Sequence, residues 1–308
     1  MVKTPLLFGT VVCISAHGAG EESVQQALEE MERIESLMSP YRQESEVSSI
    51  NRAGGEVTPI SPETAEVIAV GLELASMTGG AFDPTIRPLV HLWGFDSGSP
   101  RLPESEEIVE VLKLVDYTAV ILREDGVTLD PGMSVDLNAL TKGYAADRAV
   151  EMLAESGAEG VLVNAGQSSM KVLGTAPGGR PWKIGLMHPR RENEIYAAIE
   201  MQKMQSLSTT GDYQNYFVAD GERYSHVFNP ATGWPAQSMQ AITVLAESAM
   251  WADGLSTALF VMEPGEALTL VEKMPGVEAV VVTAEGDIMY SGGLRGKIEL
   301  LDGKEAGG

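Results

Sequence analysis

His226 stands directly ahead of Val227-Phe228-Asn229-Pro230-Ala231-Thr232-Gly233-Trp234-Pro235, a run whose Asn-Pro and Thr-Gly steps fix a rigid turn. Further along, Asp253 and Thr257 fall four residues apart where the pattern is helical. That spacing puts a carboxylate and a hydroxyl on one helix face. An imidazole moves protons near neutral pH, and a pair of hard oxygens suits a metal ion held against a phosphate. Each residue also has an ordinary use. Asp253 can complement a helix start, Thr257 can bond back to the preceding turn, and His226 can be a satisfied core or surface group.

Other segments offer similar choices. Asp136-Leu137-Asn138-Ala139-Leu140-Thr141-Lys142-Gly143-Tyr144 joins a strand end to a helix start. Free N–H groups and the Lys142 charge there suit a phosphate, or the run is a plain turn with a solvated lysine. Asp147, later in that helix, reads as surface. Gly79-Gly80-Ala81-Phe82-Asp83-Pro84-Thr85 lets backbone approach a flat ligand, or is a helix C-cap with a turn. Residues 164–169 form a phosphate nest or a strand exit, and 208–213 a phosphate cradle or a turn. His17, His91 and His188 have no chemical neighbours and receive no role.

The chain has 308 residues, enough for one large domain or two modest ones. Its 21 Lys and Arg stand against 44 Asp and Glu, a net charge of −23. Such a surface disfavours nucleic acid and anionic membranes as partners. An anionic ligand would need local positive charge, and a bound cation is the obvious source. Cys13 is the only cysteine, which excludes an internal disulfide and a thiolate metal cluster. The four histidines are too dispersed for an ordinary zinc site, so a metal here should prefer oxygen ligands, as magnesium and calcium do.

The elements that must position these residues are readable in part. The apolar stretch 5–16 is broken at Gly9-Thr10 and lacks a small-x-small cleavage pattern. It also has Val12 where a lipoprotein site ahead of Cys13 wants a small residue. It is expected to be a strand over 6–15. No apolar run approaches the ~18 residues of a membrane span. Apolar spacing predicts a helix from Val24 to Met38, a second opened by Ser61-Pro62 and closed at Gly79-Gly80, and a third over 104–114. Strands over 118–123, 127–129 and 134–137 read as an antiparallel meander. A helix over 141–155 follows, then strands at 160–163, 182–187, 196–201 and 240–246. The helix of Asp253 leads to another after Pro264 and to a hairpin of 279–283 with 288–291. The expectation is an α+β fold in one domain over 1–301, with a frayed polar tail over 302–308.

Taken in order, five motifs resemble the ApbE family. They are Gly-Gly-Ala-Phe-Asp-Pro (79–84), Val-Asp-Leu-Asn-Ala-Leu-Thr-Lys-Gly-Tyr-Ala-Ala-Asp (135–147) and Ser-Thr-Thr-Gly-Asp-Tyr (208–213). Tyr-Ser-His-Val-Phe-Asn-Pro-Ala-Thr-Gly-Trp-Pro (224–235) and Ala-Asp-Gly-Leu-Ser-Thr-Ala-Leu (252–259) complete the series. The resemblance implies a T-fold-like α+β architecture, with antiparallel β-sheets, packed helices and an FAD cleft. It implies magnesium-dependent transfer of the FMN half of FAD to a threonine hydroxyl of an acceptor protein, with release of AMP. The acceptor would carry that threonine in a short Ser/Gly/Ala-rich motif. Asp253 and Thr257 match the side-chain Mg2+ ligands, and Thr141 the position whose carbonyl completes the set. Tyr41, Ala81, Phe82, Asp83, Asn138, Tyr144, Val227 and Ser256 match FAD-contacting positions, and Lys142 the lysine ahead of Gly-Tyr. His226 lies in the motif linked to catalysis.

The chain departs from the family pattern in places. Phe8 stands where methionine is usual, and an aromatic there could still pack on FAD. Ala165-Gly166-Gln167 replaces Gly-Gly followed by an acidic residue, and Thr210 replaces a common serine. Many members are exported lipoproteins, so the location is either the cell envelope, after removal of a leader, or the cytoplasm. Two rival activities share the same residues: a pyrophosphatase splitting FAD into FMN and AMP, and a non-catalytic FAD-binding protein.

Overall fold

The structure is a computed structural model that describes residues 1–201 and 203–301, so the tail expected over 302–308 lies outside the described residues. The chain opens with β1 (Val2–Lys3), β2 (Leu6–Leu7) and β3 (Thr10–His17). The single strand expected over 6–15 is thus a hairpin. Phe8 and Gly9 have φ of 54° and 68°, and Leu7 pairs with Thr10 across them. A two-residue turn with both φ positive matches the twist of the flanking strands.

Helices α1 (Glu21–Met38), α2 (Glu46–Arg52) and α3 (Pro62–Met77) follow. Val24, Ala27, Met31, Ile34 and Met38 of α1 face the core at the expected spacing. Ser61 caps α3 by accepting a bond from the Thr64 N–H. Helix α2 has no long apolar period to announce it; Ser45 caps it. Next come α4 (Arg87–Leu92) and α5 (Ser105–Leu112), the latter opened by a Glu104–Glu107 capping box. The expected meander shrinks to β4 (Ile121–Arg123) and β5 (Gly126–Thr128). Residues 134–137 are not a strand, because Asn51 bonds both the N–H and the C=O of Val135 and the Pro84 carbonyl accepts from Asp136 N–H.

Helix α6 (Asn138–Glu155) starts three residues before the expected Thr141, since an Asp136 oxygen accepts the Asn138 N–H at 2.9 Å. Lys142 therefore sits in the second turn and not at the helix terminus. The remaining strands are β6 (Gly160–Ala165), β7 (Ser169–Gly174), β8 (Trp182–Met187), β9 (Ile195–Met201) and β10 (Gln205–Gly211). After them come β11 (Tyr216–Ala219), β12 (Glu222–Ser225) and β13 (Met239–Ala246). Helices α7 (Ala249–Phe260) and α8 (Pro264–Val271), then β14 (Glu278–Thr283), β15 (Ile288–Tyr290) and β16 (Ile298–Leu300), complete the described chain. Among the described residues no helix is long and apolar enough to cross a membrane.

Every strand pair is antiparallel. The main sheet runs β1-β3-β6-β7-β10-β13-β14-β15 with β2 beside β3, and is open. Alternation along β13 from Ala241 onward, and along β14, sorts its two faces. Ile242, Val244, Ala279 and Val281 meet the helical layer, while Ala241, Leu245, Val280 and Val282 meet the β8-β9-β16 sheet. The sheet is thus buried on both sides, and the fold is α+β, as expected.

Two adjacent helices, α6 and α7, carry the site, and they are locked at two levels. Asp147 is buried and not on the surface as expected. Its carboxylate accepts from the N–H groups of Ala249 and Met250 and from the Ser248 hydroxyl, at 2.7–3.0 Å, and pairs with buried Lys171. One turn earlier on α6, the Gly143 N–H donates to Asp253 at 3.2 Å. A Cβ on Gly143 would lie 2.2 Å from the Ala249 carbonyl oxygen, so only glycine lets the helices approach this closely. Removing Asp147 would uncap α7 and leave Lys171 buried without its counter-ion. We predict that Asp147→Ala lowers unfolding free energy by about 3–5 kcal/mol in a denaturant titration, with part recovered by adding Lys171→Met. A loss below ~1 kcal/mol would show that the pair is not a structural tie.

Candidate functional site

The cleft lies between α6, the 79–86 loop, the middle of α7 and the turn after His226, and encloses about 210 Å³. That is less than the ~300–1,000 Å³ of a typical small-molecule pocket, so a dinucleotide would have to spread across its rim.

On its α7 wall stand Asp253 and Thr257. One Asp253 oxygen holds the Gly143 N–H and the other the Ser208 hydroxyl at 2.9 Å. Ser208 belongs to a buried hydroxyl chain: Ser256 donates to it at 3.4 Å, and Thr210 lies 2.8 Å from Ser256. The Thr257 hydroxyl donates to the Asp253 carbonyl at 3.3 Å, which leaves its lone pairs available. Each carboxylate oxygen likewise keeps a lone pair beyond its single protein donor. One carboxylate and one hydroxyl on the cleft wall are hard oxygen donors. They fit a magnesium ion, which fills its remaining positions with water and substrate oxygens. Among the described residues, no cluster of three or more His, Cys, Asp or Glu gathers to hold a metal by itself. Thr141 is buried off the cleft wall, and its hydroxyl donates to the Leu137 carbonyl at 2.8 Å.

The 79–86 loop supplies Ala81, Phe82 and Asp83 to the wall. Asp83 is a strut of its own loop, accepting from the Thr85 N–H and hydroxyl and from the Tyr117 N–H at 2.6–3.1 Å. Burial raises its carboxyl pKa against the lowering by these donors. Beside it, burial likewise raises the Asp136 carboxyl, while the Asn138 N–H and Arg87 lower it. Arg87 lies 3.4 Å from Asp136, donates to the Pro40 carbonyl and sits 5.3 Å from the Tyr41 ring centre. Tyr41 reaches the cleft from this stack.

Lys142 and His226 also line the cleft. Lys142 Nζ donates to the Asn138 carbonyl at 3.2 Å and has no ion-pair partner among the described residues. The turn bearing His226 rests on an aromatic cluster in which Trp93 donates to the Gly233 carbonyl at 3.0 Å and Phe95 lies 6.4 Å from the imidazole. His226 Nδ1 is 3.1 Å from the Asn215 carbonyl, which can only accept, so Nδ1 carries the proton. Desolvation, with a further contribution from Lys142, lowers the imidazole pKa to about 4 despite the Asn215 bond that raises it. At neutral pH the ring is therefore uncharged and its Nε2 lone pair is bare.

Of the residues singled out from sequence, Tyr41, Ala81, Phe82, Asp83, Asn138, Lys142, His226, Val227, Asp253 and Thr257 line one cleft. Phe8, Thr141, Tyr144 and Ser256 do not. Phe8 forms the first hairpin turn, Ser256 backs Thr210, and Tyr144 is buried with its hydroxyl donating to Glu66. Sequence reasoning missed Arg87 and Asn215 as supports, and placed Ser208 in a cradle or a turn and not on a strand beside Asp253. The alternation of Ser206, Ser208 and Thr210 was the available signal for a strand with a polar face against α7; nothing comparable marked the other two.

The antiparallel α+β fold and the phosphate-suited cleft define a class of protein. The model of the ApbE family matches residues 8–281, and this chain belongs to that family. It is 35% identical to the FAD:protein FMN transferase of Haemophilus influenzae, over 78% of this chain and 72% of that one. It is 33% identical to the FAD:protein FMN transferase of Vibrio cholerae, over 85% and 80%. Among solved structures, the ApbE protein of Thermotoga maritima superposes with a TM-score of 0.89 at 33% identity, covering 96% of this chain and 98% of that one. The apo flavinyl transferase ApbE of Pseudomonas stutzeri gives 0.85 at 30%, covering 96% of each.

The lowered His226 pKa has a defined sign. Between about 4 and the ordinary value of 6.5 the folded ring binds fewer protons than the unfolded one, so this group's share of stability falls as pH drops through that window. Histidine-selective NMR should find His226 neutral at pH 6, with its titration midpoint near 4. A midpoint at 6.5 would contradict the desolvated, carbonyl-anchored ring.

Proposed function

We propose that this chain transfers the FMN half of FAD to a threonine hydroxyl of an acceptor protein and releases AMP. The observation that carries the reading is the bare Nε2 of His226, in the same cleft as Lys142 and the Asp253–Thr257 oxygens. The names of its relatives support the same activity.

In this reading His226 Nε2 takes the proton of the incoming hydroxyl. The hydroxyl oxygen forms a bond to the FMN phosphorus as the bond from that phosphorus to the bridging oxygen breaks, and the AMP half departs with that oxygen. Asp253 and Thr257, with the Thr141 carbonyl, would hold Mg2+. When bound, it would neutralise the pyrophosphate charge, which an acidic protein otherwise lacks the means to do. Lys142 adds a fixed positive charge to the cleft wall. Tyr41, Ala81, Phe82, Asn138 and Val227 make the flavin dinucleotide surface, while Asp83 serves it indirectly by fixing its loop.

The test is intact-mass analysis of an acceptor domain after incubation with this protein, FAD and magnesium, with nucleotide chromatography alongside. An FMN-sized mass gain with AMP release is expected. EDTA or Asp253→Ala should abolish it. His226→Gln should slow it by about 100-fold or more, as for loss of a general base, with FAD binding retained. Free FMN and AMP without a mass gain would mean a pyrophosphatase instead, and intact FAD a binding protein only.

A further inference from the structure

Among the described residues, strands β11 and β12 pair only with each other, so each has an outer edge. They are joined by Asp220-Gly221, a two-residue turn with φ of 52° and 83°. Such a turn closes on a pair that exchanges both hydrogen bonds, here Ala219 and Glu222. Alternation then makes Phe217 with Tyr224, and Asn215 with His226, the next bonded pairs. The His226 N–H donates to the Asn215 carbonyl at 3.0 Å, as this register requires.

The main-chain N–H and C=O of Tyr216 and Val218 therefore point away from β12, and no strand among the described residues takes them up. Both residues are exposed, at 41% and 61%. The edge runs out at Asn215 and Gln214, which line the cleft beside His226. The outer edge of β12 is different. At its cleft end the Ala236 N–H already donates to the Val227 carbonyl, and Ser225 is buried.

We propose that the open edge of β11 receives the acceptor protein. An extended acceptor segment adds as a third strand along Tyr216 and Val218, and its next residues cross the cleft mouth to present the hydroxyl to His226. This rests on the flavin-transfer reading above. Main-chain pairing supplies affinity without demanding particular side chains in the acceptor. At ~3.3 Å per residue, about three residues past the paired ones span two strand spacings of ~4.8 Å each.

Charge narrows the occupant. Arg223 lies 4.1 Å over the Tyr216 ring and shares the Asp212 carboxylate with Arg190. Asp220 and Glu222 lie on the same hairpin, so this rim shares the acidic character of a chain whose net charge is −23. A second copy of this acidic chain is therefore repelled, whereas an acceptor segment is held by main-chain pairing along an edge that ends at the cleft.

Val218→Pro removes the outward N–H and spares the donors of the β11–β12 ladder; Val218→Thr keeps every donor. With an acceptor domain as substrate, the proline variant should lose about tenfold or more in kcat/KM for acceptor, with FAD affinity unchanged by fluorescence titration. The threonine variant should stay within about twofold. Equal transfer by wild type and Val218→Pro would overturn the proposal. Wild type that binds FAD but modifies no acceptor would instead overturn the flavin-transfer reading. Should the proline variant fold poorly, hydrogen exchange on wild type decides. Slowed exchange at the Tyr216 and Val218 amides on adding acceptor supports strand addition, and unchanged exchange refutes it.

Discussion

The two-level tie between α6 and α7 is the constraint on which the rest of the site depends. Asp147 gathers the first N–H groups of α7 and the Lys171 ammonium, while Gly143 both permits the close approach and donates to Asp253. Gly143 and Asp147 are four residues apart on α6, and Ala249 and Asp253 four apart on α7. The two helices therefore meet through matching turns. A carboxylate buried beside a helix N-terminus and a paired lysine is fully bonded, which makes the junction stiff. Asp253 is thereby fixed without using up its lone pairs.

That fixation explains an apparent contradiction of charge. A chain with a strong negative excess would repel a dinucleotide, yet its cleft is arranged to accept one. The carboxylates around it are mostly committed: Asp83 to its own loop, Asp136 to the start of α6 and to Arg87, and Asp253 to Gly143 and Ser208. Lys142 is left without a carboxylate partner among the described residues, and the His226 imidazole is kept neutral by desolvation. The three carboxylates of the cleft wall are thus each held by donors of the protein, with Lys142 and an uncharged imidazole beside them.

The second support is the aromatic base under His226. Trp93 is fully buried among Phe217, Tyr224, Phe228 and Trp234, and its indole N–H holds the Gly233 carbonyl. This packing welds the Asn-Pro-Ala-Thr-Gly turn and the β11–β12 ribbon into one unit. A lone two-stranded ribbon is marginal in water, but its inner face here has a core to rest on. The same unit that aims the imidazole therefore also holds out the open strand edge beside it.

The sequence by itself determined the long helices, the strongly alternating strands and most of the cleft residues. These depend on periodicity, capping and short motifs that are local: Ser61-Pro62 opens α3, and apolar spacing sets α1. Tertiary structure decided what local patterns leave open. Residues 134–137 look like a strand but spend their main-chain groups on Asn51 and the Pro84 carbonyl. Residues 208–211, readable as a turn or a phosphate cradle, lie in β10, whose pairing comes from strands distant in sequence and which brings Thr209 and Thr210 to the cleft. Asp147 looks like a helix surface residue because an isolated helix cannot reveal that another helix begins above it. Tyr144 and Ser256 carry the family motif, yet only the packing of α6 and α7 shows that both stand behind the cleft wall. A hydrogen bond or a buried charge is a property of two partners, and in each of these cases the partner is far away along the chain.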